Sequence, residues 1–352
     1  VKTSTILSGS LSLQTLGWRN NFQQQMTLDQ IEHYVPARVI EQHRSELVLA
    51  TEKGAITLLV RPSTPKATVG DWLLIGQDNQ CLLLDRHSLF QRRAVANDGT
   101  NQLIAANVDT AFIVCSMNED FNLNRIERYL ALCRQANVQA VVVMSKADLC
   151  EQHDDMLASV QRLDAMLPVI PVNGLDTDSV SVLHPWCAEG QTIVLLGSSG
   201  VGKSTLVNTL CGANVQLTSG IREDDAKGRH TTTSRSVHLI PAGGLLIDVP
   251  GMREIQLSSD DDAVREAFTD IASLVSECRF TDCQHQTEPG CQILKALECG
   301  TLDTRRWHNY LKLMREQERA NQTVAQQRAK FRTQKKLNKV TNLEINRLKQ
   351  RE

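Results

Sequence analysis

Thr192-Ile193-Val194-Leu195-Leu196-Gly197-Ser198-Ser199-Gly200-Val201-Gly202-Lys203-Ser204-Thr205 is the stretch whose reading decides the fold. Thr192–Leu196 has the short, nearly continuous apolar character of a strand buried on both faces. Gly197-x-x-x-x-Gly202-Lys203-Ser204 follows at once, and a helical stretch, Lys203 to Leu210, follows that. Strand, glycine loop and helix in this order build a phosphate cradle. Glycines let backbone N–H groups turn inward on the phosphates, and the helix N-terminus adds positive potential there. Lys203 is expected to reach the β- and γ-phosphates, and Ser204 to ligate Mg²⁺ through its hydroxyl. Ser198, Ser199, Gly200, Val201 and Thr205 complete the expected phosphate-binding segment.

Downstream, Leu245-Leu246-Ile247-Asp248-Val249-Pro250-Gly251 reads as a strand ending in Asp-x-Pro-Gly. Asp248 suits a second Mg²⁺ contact, and the Gly251 amide a contact to the γ-phosphate. Between the two motifs lies Lys227-Gly228-Arg229-His230-Thr231-Thr232-Thr233. A loop here can supply a threonine to Mg²⁺. Thr232 is the first choice and Thr233 the second. His230 is a candidate for positioning the attacking water. The residue after Gly251 is Met252, where many such hydrolases place a glutamine for that task, so slow hydrolysis by the isolated chain is expected.

Upstream, Ala140-Val141-Val142-Val143-Met144 reads as a strand and runs into Ser145-Lys146-Ala147-Asp148. An Asn-Lys-x-Asp loop after a strand reads guanine. Asp148 can accept from guanine N1–H and the 2-amino group, donors that adenine lacks, and the Lys146 stem covers the base. Ser145 stands where asparagine is usual. Its hydroxyl replaces only part of the tether an amide provides, so somewhat weaker binding with guanine preference kept is expected. The loop Pro171-Val172-Asn173-Gly174 sits where a further backbone contact to the base is usual, but it departs from that pattern. The guanine-reading loop precedes the phosphate loop, and the switch segments come last. That order matches a circular permutation.

Further outward, residues 36–96 hold five short strand-like runs (37–40, 46–50, 55–60, 71–75 and 81–84) separated by turn signals such as Lys53-Gly54. They predict a small β-barrel. An oligonucleotide-binding (OB) fold is one candidate, and an SH3-like or sandwich module the alternative. Residues 97–255 alternate apolar strands with helices, as βα units do. Residues 1–35 read as a polar N-terminal extension. Residues 256–352 read as mainly helical.

That last region holds Cys278-x₄-Cys283-x-His285-x₅-Cys291. Three thiolates and an imidazole suit one structural Zn²⁺ per chain, with Cys299 the alternative ligand. Reduced core cysteines or a disulfide are the competing readings. From Asn321 to Glu352 there are nine Lys or Arg against two Glu. Such a tail suits a polyanion such as RNA. The ten cysteines mostly fall in apolar segments, as reduced thiols of a cytoplasmic protein do. No stretch is long and apolar enough to span a bilayer.

These features together resemble the circularly permuted GTPases of the RsgA (YjeQ) family, over roughly residues 36–320. The resemblance rests on Asn124-Arg125-Ile126-Glu127-Arg128-Tyr129-Leu130, Lys146-x-Asp148, the phosphate loop, Gly228–Thr233, Asp248–Glu254 and the Cys/His cluster. It implies an OB-fold barrel, a permuted GTPase domain and a zinc module. It also implies GTP hydrolysis stimulated by the small ribosomal subunit, with 16S rRNA as partner. A monomer is expected. An assembly factor that only binds nucleotide is the alternative, and Asp148 argues against a general ATPase.

Overall fold

The computed structural model describes residues 11–77, 80–93, 101–151, 153–212, 235–249 and 262–321. His230, Thr232, Thr233, Gly251, Met252 and the basic tail beyond Asn321 lie outside the described residues. The described chain falls into two compact units, one holding residues up to 92 together with 103–249 and the other residues 93, 101, 102 and 262–321.

In chain order the first unit begins with two short helices, α1 (Asn20–Gln23) and α2 (Leu28–His33). A capping box opens α2: Gln30 N donates to Thr27 Oγ1 and Thr27 N to Gln30 Oε1. Strands β1 (Val35–Gln42), β2 (Glu46–Thr51), β3 (Gly54–Leu59), β4 (Trp72–Ile75), β5 (Cys81–Leu83), β6 (Leu89–Arg93), β7 (Asn101–Ala106) and β8 (Thr110–Ser116) follow. Then come α3 (Leu123–Ala136), β9 (Gln139–Ser145), α4 (His153–Gln161), β10 (Val169–Val172), α5 (Thr177–Ser181), β11 (Thr192–Leu196), α6 (Lys203–Cys211), β12 (Arg235–Leu239) and β13 (Leu245–Asp248). Helix α4 is short, nine residues. It stops at Gln161, whose side-chain amide donates to the carbonyls of Asp164, Ala165 and Leu167.

One eleven-stranded sheet carries this unit, with the path β10-β9-β8-β11-β13-β12-β1-β2-β3. From β10 to β13 the neighbours are parallel, and β12 is antiparallel to β13. Every residue of β8 and β11 is buried, as strands covered on both faces require. Phe112, Val141, Val143, Ile193, Leu195, Leu206, Val207 and Leu210 pack into one cluster that seats α6 on the sheet.

Strands β1–β5 fall where the turn spacing predicts strands and make a module hydrogen-bonded in the order β3-β2-β1-β4-β5. Val39, Leu47, Leu49, Leu58 and Leu73 fill its interior. The module is not a separate sheet. Strand β1 also pairs antiparallel with β12, Glu41 opposite Ser236 and Gln42 opposite Arg235.

A buried arginine locks this junction. Arg38 on β1 donates to the carbonyls of Leu16, Gly70 and Asn107 and to Thr192 Oγ1 at the start of β11. Desolvation lowers its pKa to about 10, still far above neutrality, so it stays charged. Leu16 and Phe22, in the stretch that reads as a polar extension, are buried, and Trp18 meets Trp72 edge-on at 4.8 Å.

In the second unit, α7 (Asp262–Ala267), α8 (Thr269–Ser276), α9 (Gln292–Glu298) and α10 (Thr304–Asn321) frame the Cys/His loop. Arg306 on α10 makes a two-pronged pair with Asp270 on α8, at 2.8 and 2.7 Å.

Candidate functional site

Strands β9, β10, β11 and β13 all point the same way, so their C-terminal ends share one edge of the sheet. Ser145 lies opposite both Ser116 and Val172. That edge therefore carries Ser145–Asp148, Asn173–Gly174, the Gly197–Ser204 loop and Asp248. Ligands of open α/β sheets bind at this edge.

The loop's conformation explains its glycines. Gly197, Gly200 and Gly202 have φ of 144°, 77° and 91°. A Cβ on Gly197 would stand 2.4 Å from the carbonyl oxygen of Val114 on β8, so no side chain fits. Gly202 is the N-cap of α6, and Lys203 is its first residue. Lys203 Nζ donates to Gly197 O at 2.8 Å and also to Ser198 O, so the ammonium lies in the bowl of the loop. Ser204 and Thr205, half-buried, follow in the first turn.

The guanine-loop candidates touch the phosphate-loop candidates directly. Ser145 Oγ donates to Val201 O at 2.6 Å, and Lys146 Nζ to Gly200 O at 3.0 Å. Ser145 has one proton, and this bond uses it. Lys146 is left-handed (φ 59°), and the chain then enters a single 3₁₀ turn, Ala147–Leu149, with Asp148 exposed. The 171–174 loop also joins: Thr209 Oγ1 of α6 donates to Gly174 O at 2.6 Å.

Asp248 is half-buried at the end of β13, opposite Ser236 of β12. Its charge registers on two neighbours. Burial first, and then Asp248, pushes the Cys211 thiol up to about 11. Burial lowers His238, and the carboxylates of Asp248 and Glu41 oppose that. A hydroxyl at Ser204 and a carboxylate at Asp248 are the hard oxygen donors that Mg²⁺ takes.

The second unit holds a different cluster. One ligand atom from each of Cys278, Cys283, His285 and Cys291 lies within 4.8 Å of the others. Cys278 Sγ is 3.6 Å from His285 Nδ1 and 4.0 Å from Cys291 Sγ, and His285 Nδ1 is 3.4 Å from Cys291 Sγ. Tetrahedral donors around Zn²⁺ stand about 3.5–3.8 Å apart, so these residues fit such an ion. Cys299 is not among them and caps α9 in the open.

Sequence reading missed what shapes this loop. The Glu288 carboxylate accepts from the backbone N–H groups of Gln284, Gln286 and Thr287, at 2.8, 2.8 and 3.0 Å. Those bonds hold its pKa down at about 2. Trp307 of α10 meets the His285 ring edge-on at 5.6 Å. No short motif signals either residue.

The sequence profile of the family described as RsgA GTPase matches residues 83–258. A profile described as ABC transporter matches residues 183–344, a stretch that contains the phosphate loop. A Small ribosomal subunit biogenesis GTPase RsgA 2 of Vibrio parahaemolyticus is 57% identical over 93% of this chain and 92% of its own. Its namesake in Vibrio vulnificus is 52% identical over 91% and 92%. The Small ribosomal subunit biogenesis GTPase RsgA of Xanthomonas axonopodis is 44% identical over 83% of each. Among solved structures, YjeQ from Thermotoga maritima superposes with a TM-score of 0.60 at 21% identity, covering 81% of this chain and 98% of that one. YloQ, a circularly permuted GTPase, superposes at 0.58 and 22%, covering 82% and 97%. The architecture is therefore that of a circularly permuted GTPase.

Proposed function

The chain belongs to the RsgA GTPase family, and on that premise we propose that it hydrolyses GTP while assisting biogenesis of the small ribosomal subunit. The observation that carries this reading is the convergence of four loops on one sheet edge. The guanine-loop candidates there are hydrogen-bonded to the phosphate-loop candidates. In this reading Asp148 selects guanine, and Lys146 covers the base. The amides of Gly197–Gly202 and the Lys203 ammonium hold the phosphates, with Ser198, Ser199, Val201 and Thr205 lining the loop. Ser204 and Asp248 hold Mg²⁺, which supplies charge neutralisation at the phosphates. His230, Thr232 and Gly251 are the proposed groups for water, Mg²⁺ and γ-phosphate.

Cys278, Cys283, His285 and Cys291 hold one Zn²⁺, and no position is left for water, so the metal is structural. The β1–β5 module acts as an OB-like surface for 16S rRNA. Its strand order supports this, because β1 pairs with both β2 and β4, although β3 and β5 are not paired among the described residues. The protein works as a cytoplasmic monomer. Among the described residues no helix is long and apolar enough to cross a membrane.

The test is turnover of GTP and of ATP, with and without purified small subunits. GTP turnover that is slow alone and rises with subunits, with ATP ignored, is expected. Equal use of ATP, or GTP turnover indifferent to subunits, overturns the reading.

A further inference from the structure

We propose that Arg125 is a positioning residue for the phosphate loop, acting through the hydroxyl of Ser198. The inference rests on the reading of residues 197–204 as that loop. Arg125 lies in the first turn of α3, where its backbone N–H donates to the N-cap side chain of Asn122. Its Nη1 donates to Asp120 Oδ2 at 2.8 Å and to Ser198 Oγ at 2.5 Å. Asp120 is itself placed by a turn. Asn118 Oδ1 accepts from Ser116 Oγ at 2.7 Å and from Asp120 N at 3.1 Å. Arg125, Asp120 and Ser198 also line a small cavity, together with Cys115, Ile126, Tyr129 and Val201.

Three positive-φ glycines make the loop soft, and aiming its amides at a phosphate costs conformational entropy. Ser145 and Lys146 tether its middle, at Val201 and Gly200. Arg125 tethers its start, one residue after Gly197. A charge-assisted bond there orders the loop before nucleotide arrives. Loop amides hold the β-phosphate in ground state and transition state alike. Losing the tether therefore weakens binding uniformly, raising KM without lowering kcat.

The experiment compares Arg125→Met, Ser198→Ala, the double variant and Asp120→Asn in the full-length protein, by GTP KM and kcat and by equilibrium GDP binding. Arg125→Met and Ser198→Ala should each raise KM and the GDP Kd about tenfold, with kcat within about twofold. The double variant should be no worse than either single. Arg125→Lys should restore part of the loss. Additive effects, a silent Ser198→Ala, or a loss confined to kcat overturn the proposal. If Asp120→Asn reproduces the loss while Ser198→Ala does not, the arginine only braces its own turn and the proposal fails. Should Arg125→Met not fold, Ser198→Ala deletes one hydroxyl and tests the same contact from the other side. Lys203→Ala separates the underlying reading: nucleotide binding that survives it removes the phosphate loop itself. Binding lost there but intact in Ser198→Ala removes only this inference.

Discussion

Gly197–Ser204 and Cys278–Cys291 are both loops that lead into a helix, and they are built by opposite means. In the first, backbone geometry carries the site. Three glycines sit at φ of 144°, 77° and 91°, and the Ser199 side chain is exposed. In the second, four side chains carry the site, and the backbone is arranged around them by Glu288. A backbone-built site fails when a Cβ is added. A side-chain-built site fails when a ligand is removed. The contrast orders the consequences of mutation.

The largest effect should come from Cys283→Ala combined with Cys291→Ala. Binding of a structural zinc is worth on the order of 10 kcal/mol in small zinc modules, and much of that is folding free energy. Metal analysis should give about one zinc per wild-type chain and none in the double variant, with the cooperative unfolding of residues 262–321 lost. A wild-type protein without zinc, or a double variant that melts normally, would remove the metal from this loop.

Gly197→Ala should come next, at on the order of 3 kcal/mol. It combines an unfavourable φ with a Cβ only 2.4 Å from a backbone carbonyl. GDP binding should be largely lost. Ser199→Ala, two residues on, should change GDP affinity by less than about twofold, because only the backbone is used there. Equal sensitivity at the two positions would break the contrast.

The same contrast explains what the sequence made legible. The phosphate loop is contiguous, and its glycine spacing is dictated by the backbone path, so it can be read from a single stretch. The buried parallel strands are legible for the same reason, because 110–115 and 192–196 carry their burial in composition. Strand β12 is not. Arg-Ser-Val-His-Leu has too little apolar character, and it forms because β13 and β1 pair with it on either side. The shared sheet was invisible for that reason. The role of residues 12–24 was hidden too. Leu16 and Phe22 are isolated apolar residues in a polar stretch, and their places come from residues distant in sequence: Arg38 takes the Leu16 carbonyl, and Phe22 lies against Trp72 and His87. Arg125 falls in the Asn124–Leu130 stretch on which the resemblance rests, yet its link to Ser198 spans 73 positions and has no local signature.

Arg38→Met tests the junction that Arg38 locks and should cost about 2 kcal/mol. The thioether fills part of the space but leaves buried acceptors of Leu16, Asn107 and Thr192 without their donor. Denaturant unfolding of the full chain is the measurement. Its effect should fall on stability of the unit holding the nucleotide loops, with zinc content unchanged. A loss of zinc in this variant would mean that the two loops are not energetically separate.

The smallest expected effect concerns the frame of the Cys/His loop. Asp270 on α8 pairs with Arg306 on α10, and the Arg306 guanidinium also lies 4.6 Å from the centre of the Phe268 ring. The Asp270 side chain is 49% exposed, so water screens the pair, and its loss in Asp270→Asn should cost only about 1 kcal/mol. The carboxyl is partly desolvated, which would raise its pKa, but the hydrogen bonds and charge of Arg306 outweigh this and hold it below the ordinary value. A depressed carboxyl pKa gives stability that is fully present above the unfolded pKa and is lost as pH falls through the folded one. The wild-type advantage over Asp270→Asn should therefore be constant near neutrality and shrink only below about pH 4. Zinc content should stay at the wild-type level, because the four side chains, not the frame, are the proposed ligands. Unfolding of both proteins followed across that range checks the sign. An advantage that grows on acidification would show that the pair does not act through an ionised Asp270, and a loss of zinc would show that the frame, and not only the side-chain ligands, builds the second site.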